Sequence, residues 1–329
     1  MLFFTIRRVL GSIVVLIASS FLVFFMTAAS FDPLAQFRQI QPLPDAAFFA
    51  SKREQLGLND PLYLRYFDWL KGAVTGDFGV NINNIPVADQ LFGRLMVTGR
   101  LVIAAMVLAV LLAIVVGVIS AVRQYKASDY VFTVFAYIMI ALPTFWFAAL
   151  LKEFVAIGIN NLAGERILFT LGDETPGISA YGTTSMIFWD RIGHLVLPTL
   201  SLGLLTFAAW SRFQRASMLD VLSADYMRLA RAKGVPWRRV IVRHGLRNAL
   251  IPLTTVVAIG VGGIFGGAIV TEQVFVWHGM GEYLIQDGIG NNDLNVVLGW
   301  LLLSAFFVIA FNLIADLLYA VLDPRIRLS

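Results

Sequence analysis

Side chains that commonly carry out catalysis or bind metals are scarce in this sequence. The 329 residues include no cysteine, and the three histidines, His194, His244 and His278, are widely separated. The lack of cysteine excludes disulfides, thiol catalysis and cysteine-ligated zinc or iron–sulfur centres. No Gly-x-x-x-x-Gly-Lys-Ser/Thr segment occurs, so the chain has no phosphate-binding P-loop. We therefore expect no catalytic residue, no cofactor and no metal in this chain, and no enzymatic activity of its own.

The charged residues with the most informative spacing lie between positions 212 and 249. This segment contains Arg212, Arg215, Arg228, Arg231, Lys233, Arg238, Arg239, Arg243 and Arg247. Its flanks are strongly apolar, so the positive charge belongs to a loop held between two hydrophobic stretches. Nucleic-acid binding is disfavoured in such a tethered loop. Two interpretations remain open, namely a cytoplasmic topology determinant alone and a contact surface for a partner protein.

A short, self-terminating helix is predicted near the start of this loop. Ser223 can cap its first turn, and Asp225 complements the positive helix end. Basic residues in the last turn are equally favourable, and these are Arg231 and Lys233. Gly234 can adopt the left-handed conformation that closes a helix, and Pro236 prevents its continuation. The helix would have about ten residues and a length of roughly 15 Å.

Small side chains on this helix permit the close approach of another protein. Ala230 and Ala232 leave little bulk on the surface. A rigid knob between two membrane spans is suited to receive a force from a neighbouring subunit. The residues assigned to this coupling role are Ser223, Asp225, Tyr226, Arg228, Ala230, Arg231, Ala232, Lys233 and Gly234.

A second basic segment follows Pro236. Arg239, Arg243 and Arg247 recur every four residues, as on one face of a helix. Apolar residues accompany them, namely Val242, Leu246 and Ala249. This pattern predicts an interfacial helix whose arginines reach lipid headgroups.

Six apolar stretches surround these features. The composition is 58% hydrophobic and only 14% charged, with a mean hydropathy of +0.78. The stretches are residues 11–29, 101–122, 130–151, 192–210, 249–270 and 294–315. A helix of about 20 apolar residues crosses a bilayer core, so the fold class predicted is an all-α integral membrane protein with six transmembrane helices. The first stretch exceeds the length usual for a signal peptide, and we expect an uncleaved anchor.

The orientation follows from the short connections. Lys and Arg occur before the first stretch, between the second and third, between the fourth and fifth, and after the sixth, whereas residues 273–293 contain none. Because cytoplasmic loops are enriched in these residues, both termini are predicted to be cytoplasmic. The domains expected are an anchor at 1–30, an extracytoplasmic segment with short surface helices at 31–93, and a membrane core at 94–329 with the loop 212–249.

The extracytoplasmic segment contains one clear helical pattern. Asp60 and Pro61 resemble an N-cap followed by proline at the first helical position. The apolar face that follows consists of Leu62, Tyr66, Trp69, Leu70 and Ala73, and the turns are assigned to Gly72, Gly76 and Gly79. A helix that rests on a membrane or a neighbour and a surface that receives a soluble partner both fit this pattern.

Glycines in the fifth stretch also have two interpretations. Gly260, Gly263 and Gly267 either let helices pack closely or leave room along a transport pathway. Pro143 in the third stretch can kink its helix. Together with Glu272 and Trp277, these residues are the candidates for a pathway or gate.

Several of these segments, taken together, resemble one known family. The loop sequences are DYMRLARAKG at 225–234 and VIVRHGLRNALIP at 240–252. They accompany REQLGLNDP at 53–61, GDFG at 76–79, LPTFW at 142–146, HLVLP at 194–198, TEQVFVW at 271–277 and DLLYAVLDPRIR at 316–327. Their order resembles the first permease of dipeptide and oligopeptide ABC importers, and 225–252 resembles the EAA loop. Three places depart from the family pattern. Arg228-Leu229-Ala230 replaces Glu-Ala-Ala, His278 stands where proline is usual, and Lys152-Glu153 near the end of the third stretch is unexpected.

The resemblance implies a type I ABC importer permease fold in a bacterial inner membrane. It implies a second homologous permease, two ATPase subunits that bind ATP and magnesium, a substrate-binding protein outside, and contact with membrane lipid. Di- and oligopeptides are the expected substrates, with nickel, glutathione or another small solute as the alternative. An ion-gradient-driven transporter would carry carboxylates deep in its spans, and the middles of these stretches contain none. A membrane scaffold gives no reason for the glycine-rich fifth stretch.

Overall fold

In the part that the structure describes, helices form nearly all of the regular secondary structure, beside one isolated β-bridge between Val80 and Pro86. This computed structural model describes the backbone of residues 2–39 and 41–322 and the side chains of residues 5–35, 37–38 and 41–314, so the end of the C-terminal motif lies outside the described residues. The α-helices are α1 (Leu2–Ser30), α2 (Ala46–Gln55), α3 (Leu62–Thr75), α4 (Val87–Val122), α5 (Ala127–Ala141), α6 (Thr144–Leu150), α7 (Ile157–Ala163), α8 (Ile178–Tyr181), α9 (Thr184–Ser223), α10 (Asp225–Ala232), α11 (Trp237–Arg239), α12 (Arg247–Phe275), α13 (Met280–Tyr283) and α14 (Leu294–Leu322). Wider π-helical turns occupy Leu151–Ala156, Val240–Leu246 and Leu284–Gly290.

Six helical segments in the described residues are long and apolar enough to cross a membrane. They are Thr5–Ser30, Val87–Val122, Thr144–Ala163, Thr184–Ser223, Trp237–Phe275 and Leu294–Ile314. The prediction of six spans is confirmed. The helices extend beyond the apolar stretches because backbone hydrogen bonding continues into the polar flanks, where hydropathy gives no indication of helix.

The third span differs from its predicted form. The continuous helix expected at 130–151 is wrong, because α5 ends at Ala141 and α6 begins at Thr144. Leu142 has an extended ψ of 130°, and Pro143 is the N-cap of α6. Proline lacks an N–H and disfavours helical geometry in the preceding residue, so it ends the helix here rather than bending it.

Packing divides the chain into two compact units. Unit 1 consists mainly of Gly99–Trp277, and unit 2 consists of Ile6–Thr98 and His278–Ala310. The proposed domain boundaries at 30 and 93 stay predictions, since packing follows spatial contacts rather than order along the chain.

Unit 1 is organised around α9, which packs against α5, α6 and α12. Glycine permits close helix approaches here. A Cβ added at Gly203 would lie 3.0 Å from Leu108 Cδ2 of α4, and one at Gly117 would lie 2.8 Å from Gln214 Cβ of α9. Small residues are a common means of bringing membrane helices together, since lipid offers no hydrophobic driving force between them.

In unit 2, α3 packs its apolar face against α1. Tyr66 is buried with Phe24 and Leu298, and its hydroxyl lies 3.0 Å from Ser20 Oγ. The predicted apolar face of α3 is therefore present. Its start is one residue later than expected, because Pro61 rather than Asp60 is the N-cap.

The turns after α3 are also partly as predicted. Gly76 ends the helix with a φ of 84°, and Gly79 has a φ of 78°. Both are left-handed conformations that favour glycine. Gly72 is not a turn residue but lies within α3, where a Cβ would come 2.9 Å from the carbonyl oxygen of Asp77. Its role is to let the chain fold back closely against the helix.

Candidate coupling site

The start of α10 differs from the sequence prediction. Ser223 is not its N-cap, because α9 continues to Ser223 and the serine hydroxyl donates to the carbonyl of Asp220 at 2.8 Å. The extended residue Ala224, with a ψ of 147°, separates the two helices and caps α10 with its backbone carbonyl alone. Asp225 occupies the first turn, as expected. The helix has eight residues instead of about ten.

The end of α10 agrees with the prediction. Gly234 has a φ of 77°, in the left-handed region. The N–H of Val235 donates to the carbonyl of Ala230 at 3.3 Å, and the N–H of Gly234 donates to that of Arg231 at 2.9 Å. These bonds satisfy carbonyls at the end of the helix. Pro236 then begins α11 as its N-cap.

One face of α10 is anchored to the protein by Met227. This side chain is 1% exposed. A Cβ added at Gly245 would lie 3.1 Å from Met227 Cε and 3.0 Å from Met218 Cε, so both methionines fill the space that glycine leaves free. Met218 in α9 is itself buried with Ala249 of α12. Met227 therefore packs α10 beside Met218 and Gly245, next to α9 and α12.

A hydrogen bond adds a second attachment. Asn248 Nδ2 of α12 donates to the Tyr226 hydroxyl at 3.1 Å. The sequence prediction included Tyr226 but missed Met227, Gly245 and Asn248, because their roles depend on contacts between segments about twenty residues apart.

The opposite face of α10 is exposed. It carries Leu229, which is 57% exposed, beside Asp225, Arg228, Ala232 and Lys233. Of the two alanines proposed as a contact surface, Ala232 is exposed, whereas Ala230 is half-buried on the side of Met227. The available surface is thus an exposed leucine and a small residue surrounded by charge.

Several charges of α10 support its own conformation. Arg228 lies 3.1 Å from Asp225 and donates to the carbonyl of Ser223 at 3.3 Å. The guanidinium of Arg231 lies 4.6 Å from the ring centre of Trp237 in α11. The ion pair is highly exposed and contributes little to stability. These charges stay accessible to a partner surface.

The second basic segment contains a π-helical turn that changes which residues face inward. Arg239, Arg243 and Arg247 are all exposed, as predicted. Val242 is 63% exposed, as an apolar residue at a membrane interface would be, while Val240 and Gly245 are buried. Because a π-turn bonds residue i to i+5, it adds one residue to the turn and shifts the inward face.

An ion pair that the sequence did not reveal joins three helices of unit 1. Arg215 of α9 donates through Nε and Nη2 to the two carboxylate oxygens of Asp129 in α5, each at 2.8 Å. The hydroxyl of Ser120 in α4 and the N–H of Tyr125, at 3.0 Å, also donate to this carboxylate. Asp129 is 3% exposed. Arg215 therefore does more than add positive charge to a loop.

The glycines proposed for a pathway fall into two groups. A Cβ at Gly260 would lie 2.8 Å from Trp210 Cζ2, and one at Gly267 would lie 3.0 Å from Leu202 Cδ1. Both glycines therefore let α12 pack closely on α9. Gly263 has no atom within 4 Å of an added Cβ and faces away from this contact.

Of the remaining pathway candidates, Pro143 lies at the start of a helix, and the other two are buried in the protein. Pro143 is at the break between α5 and α6. Glu272 and Trp277 are buried, and the N–H of Trp277 donates to the carbonyl of Glu272 at 2.8 Å. Val276 between them has a φ of 50° and forms the turn that ends α12. Within the described residues, no cluster of three or more His, Cys, Asp or Glu side chains could hold a metal ion.

Comparison with known proteins covers nearly the whole chain. The family model for the binding-protein-dependent transport system inner membrane component matches residues 113–328, and the model for the N-terminal part of such membrane components matches residues 1–106.

Three similar relatives span the chain almost end to end. Oligopeptide transport system permease protein OppB of Mycobacterium bovis is 40% identical over 98% of each chain. Oligopeptide transport system permease protein AppB of Bacillus subtilis is 38% identical over 98% of this chain and 99% of its own. Glutathione transport system permease protein GsiC of Escherichia coli is 37% identical over 99% of both. With six segments long and apolar enough to cross a membrane and these matches over nearly its whole length, the chain belongs to the family of inner membrane components of binding-protein-dependent transport systems.

Proposed function

We propose that this chain forms half of the substrate pathway of an ATP-driven peptide importer and receives its driving force through α10. The observation that carries the proposal is the packing of Met227 of α10 and Met218 of α9 against the same glycine, Gly245. It gives a short exposed helix a rigid connection to two spanning helices, α9 and α12. Motion imposed on the exposed face would therefore change the packing of these spans.

The energy comes from partner subunits. Because the chain has no P-loop, ATP and magnesium are bound by two ATPase subunits that contact α10. Leu229 and Ala232 form the centre of that contact, and Arg228 and Lys233 lie at its edge. An exposed apolar side chain surrounded by charged residues is typical of a protein interface.

The orientation follows from the basic residues. Arg239, Arg243 and Arg247 are exposed on one segment and would contact anionic headgroups of the cytoplasmic leaflet of a bacterial inner membrane. Both termini and α10 then face the cytoplasm. Unit 2 contributes the segments that meet an extracytoplasmic binding protein.

A second, homologous permease completes the pathway. Support comes from an exposed stripe on α12 at Ile259, Gly263, Gly266 and Val270, spaced by four, three and four residues. This stripe faces away from the contact with α9. Small residues on an exposed helix face allow another helix to approach closely.

Peptides are the substrates that the relatives favour. Two of them carry the name oligopeptide permease, and the third transports glutathione, itself a small peptide. ATP binding would draw the ATPases together, open the pathway outward for the peptide, and hydrolysis would reset it.

The experiment that tests this function compares two exposed leucines. In Leu229→Asp, a charge replaces the apolar centre of the α10 surface, whereas Leu43→Asp changes a leucine that is 66% exposed in unit 2. Uptake of labelled oligopeptides and co-purification of ATPase subunits are measured in cells that lack the native chain. We expect Leu229→Asp to lose both and Leu43→Asp to keep both. Normal uptake by Leu229→Asp would contradict the proposal.

A further inference from the structure

Unit 2 contains a cavity of about 400 Å³ whose charged residues have no role in the coupling site. One wall is apolar and consists of Phe24, Trp69 and Leu298. Phe24 and Leu298 are 3% and 1% exposed, and the rings of Phe24 and Trp69 are 5.5 Å apart, so this wall is held by the packing of α1, α3 and α14. The volume lies within the range of small-molecule sites.

Charges of both signs line the same cavity. Lys52 and Arg65 are cationic, and Asp60, Asp68 and Asp293 are anionic. The Asp293 carboxylate already accepts hydrogen bonds from the N–H groups of Ile82 and Val296. Lys52 is engaged locally, because its Nζ donates to Gln55 Oε1 at 3.0 Å and lies over the Phe37 ring. Arg65 is different: it is half-buried, and no side chain or carbonyl of the described residues accepts a hydrogen bond from its guanidinium.

The guanidinium of Arg65 is partly shielded from solvent. Burial lowers the pKa of its guanidinium, and the nearby charge of Asp60 raises it. The two side chains nevertheless form no ion pair, although both line the cavity. The Arg65 nitrogens are not among the buried polar atoms without a partner, so the guanidinium is open to solvent and to a ligand that enters the cavity.

Two asparagine residues also line the cavity. Asn84 and Asn292 line the cavity from two loops, where both residues have left-handed backbones with φ values of 58° and 53°. Amides can donate to a carbonyl and accept from an N–H, which are the groups of a peptide bond.

We propose that this cavity binds the peptide substrate directly, with Arg65 receiving its terminal carboxylate and Asp60 with Asp68 receiving its amino group. A zwitterionic ligand would pair with the cationic and the anionic side chains of the cavity at once. The identification of the ligand as a peptide rests on the proposed function, and the cavity would then be a first subsite on the permease itself.

The test measures binding of a tritiated dipeptide to the purified full-length chain by equilibrium dialysis. Arg65→Ala removes the proposed carboxylate ligand, and Arg53→Ala is the matched control, since Arg53 is exposed on α2 and does not line the cavity. A charged hydrogen bond contributes about 1.5–3 kcal/mol, so we expect a roughly tenfold or greater loss of affinity for Arg65→Ala. Arg53→Ala should bind as the unchanged chain does.

A peptide amidated at its C-terminus provides the decisive comparison. It should bind the unchanged chain about tenfold more weakly and should lose little further affinity in Arg65→Ala, because both changes remove the same contact. Thermal unfolding of each variant, with Arg65→Lys as a second substitution, checks that the fold persists.

Three results would overturn the inference. These are equal affinity of Arg65→Ala and the unchanged chain, an undiminished amidation penalty in Arg65→Ala, or Arg65-dependent binding of phosphatidylethanolamine without any binding of peptide. The last would assign the cavity to a lipid headgroup. Retained oligopeptide uptake in these cases would leave the proposed function intact, whereas failure of the Leu229→Asp experiment would remove the function itself.

Discussion

Arg215 holds Asp129 through two parallel hydrogen bonds of 2.8 Å, although the residues are 86 positions apart. The contact ties α9 to α5 beside the connection from α4, and Ser120 and Tyr125 complete the set of donors. Bidentate pairs of this kind fix orientation as well as adding energy. The helix that leads directly into α10 is thereby locked to its neighbours.

Removing one partner of this pair should be more harmful than removing both. Asp129→Ala leaves a guanidinium without its acceptors and should destabilise the chain by on the order of 3 kcal/mol. The double variant Asp129→Ala, Arg215→Met should recover much of the loss. Thermal unfolding of the purified chain measures both effects.

The matched control is the exposed pair in α10. Asp225→Ala removes the partner of Arg228, whose side chain is 74% exposed, and should leave the unfolding midpoint nearly unchanged. Equal destabilisation by Asp129→Ala and Asp225→Ala would mean that the α5–α9 contact does not carry the stability assigned to it.

A charge on the exposed face of α10 should block transport without affecting folding. Ala232→Glu places a carboxylate at the proposed ATPase contact and should weaken docking by roughly 2 kcal/mol or more, as at an interface hot spot. Ala230→Glu should also abolish uptake, with some loss of stability, because Ala230 is half-buried. Peptide uptake and membrane insertion are measured together. Ala47→Glu, at an exposed alanine of α2, should transport normally.

The space at Gly245 should determine how firmly α10 is attached. Gly245→Ala places a methyl group against two flexible methionine ends and should be tolerated with a small shift of Met218 and Met227. Gly245→Val adds a branched side chain and should separate α10 from α9, at a cost of about 1–3 kcal/mol. We expect the Gly245→Val variant to assemble with its partner subunits but to lose ATP-driven uptake of peptide. Full uptake by this variant would show that the contact is not required for coupling.

Two glycines of α12 should respond oppositely to the same substitution. Gly260→Ala brings a Cβ to 2.8 Å from the rigid Trp210 ring and should destabilise the isolated chain by about 1–3 kcal/mol. Gly263→Ala meets no atom within 4 Å and should be neutral or gain up to about 1 kcal/mol from helix propensity. Thermal unfolding of the two variants in detergent distinguishes them. Similar effects at both sites would mean that close packing on α9 does not explain Gly260.

Local patterns in the sequence were sufficient to predict the six membrane-crossing segments and the residue at which α10 ends. Apolar length predicted six membrane-crossing segments, and the order of Gly234 and Pro236 predicted where the coupling helix stops. These features depend on hydropathy and on backbone preferences within a few residues. The capping role of Ser223 failed because α9 continues thirteen residues beyond the predicted span end at 210, which local rules do not capture.

Contacts between segments that are distant along the chain could not be predicted from local sequence patterns. The pairing of Asp129 with Arg215 depends on how three helices pack, and the π-turn at Val240–Leu246 shifts the inward face by one residue. Pro143 within an apolar stretch predicts a kink, whereas the structure has a complete break between α5 and α6. The strength of a break depends on whether neighbouring helices satisfy the freed backbone groups.

Cysteine cross-linking tests most directly whether α10 is the contact through which partner ATPases drive this permease. The native chain has no cysteine, so Leu229→Cys and Leu43→Cys each provide a single reactive site. In membranes that contain the assembled complex, Leu229→Cys should cross-link to an ATP-binding subunit and be protected from an impermeant thiol reagent in intact cells. Leu43→Cys should react with that reagent and form no such product. Labelling of Leu229→Cys from outside, or no cross-link to an ATP-binding chain, would contradict the coupling role of α10.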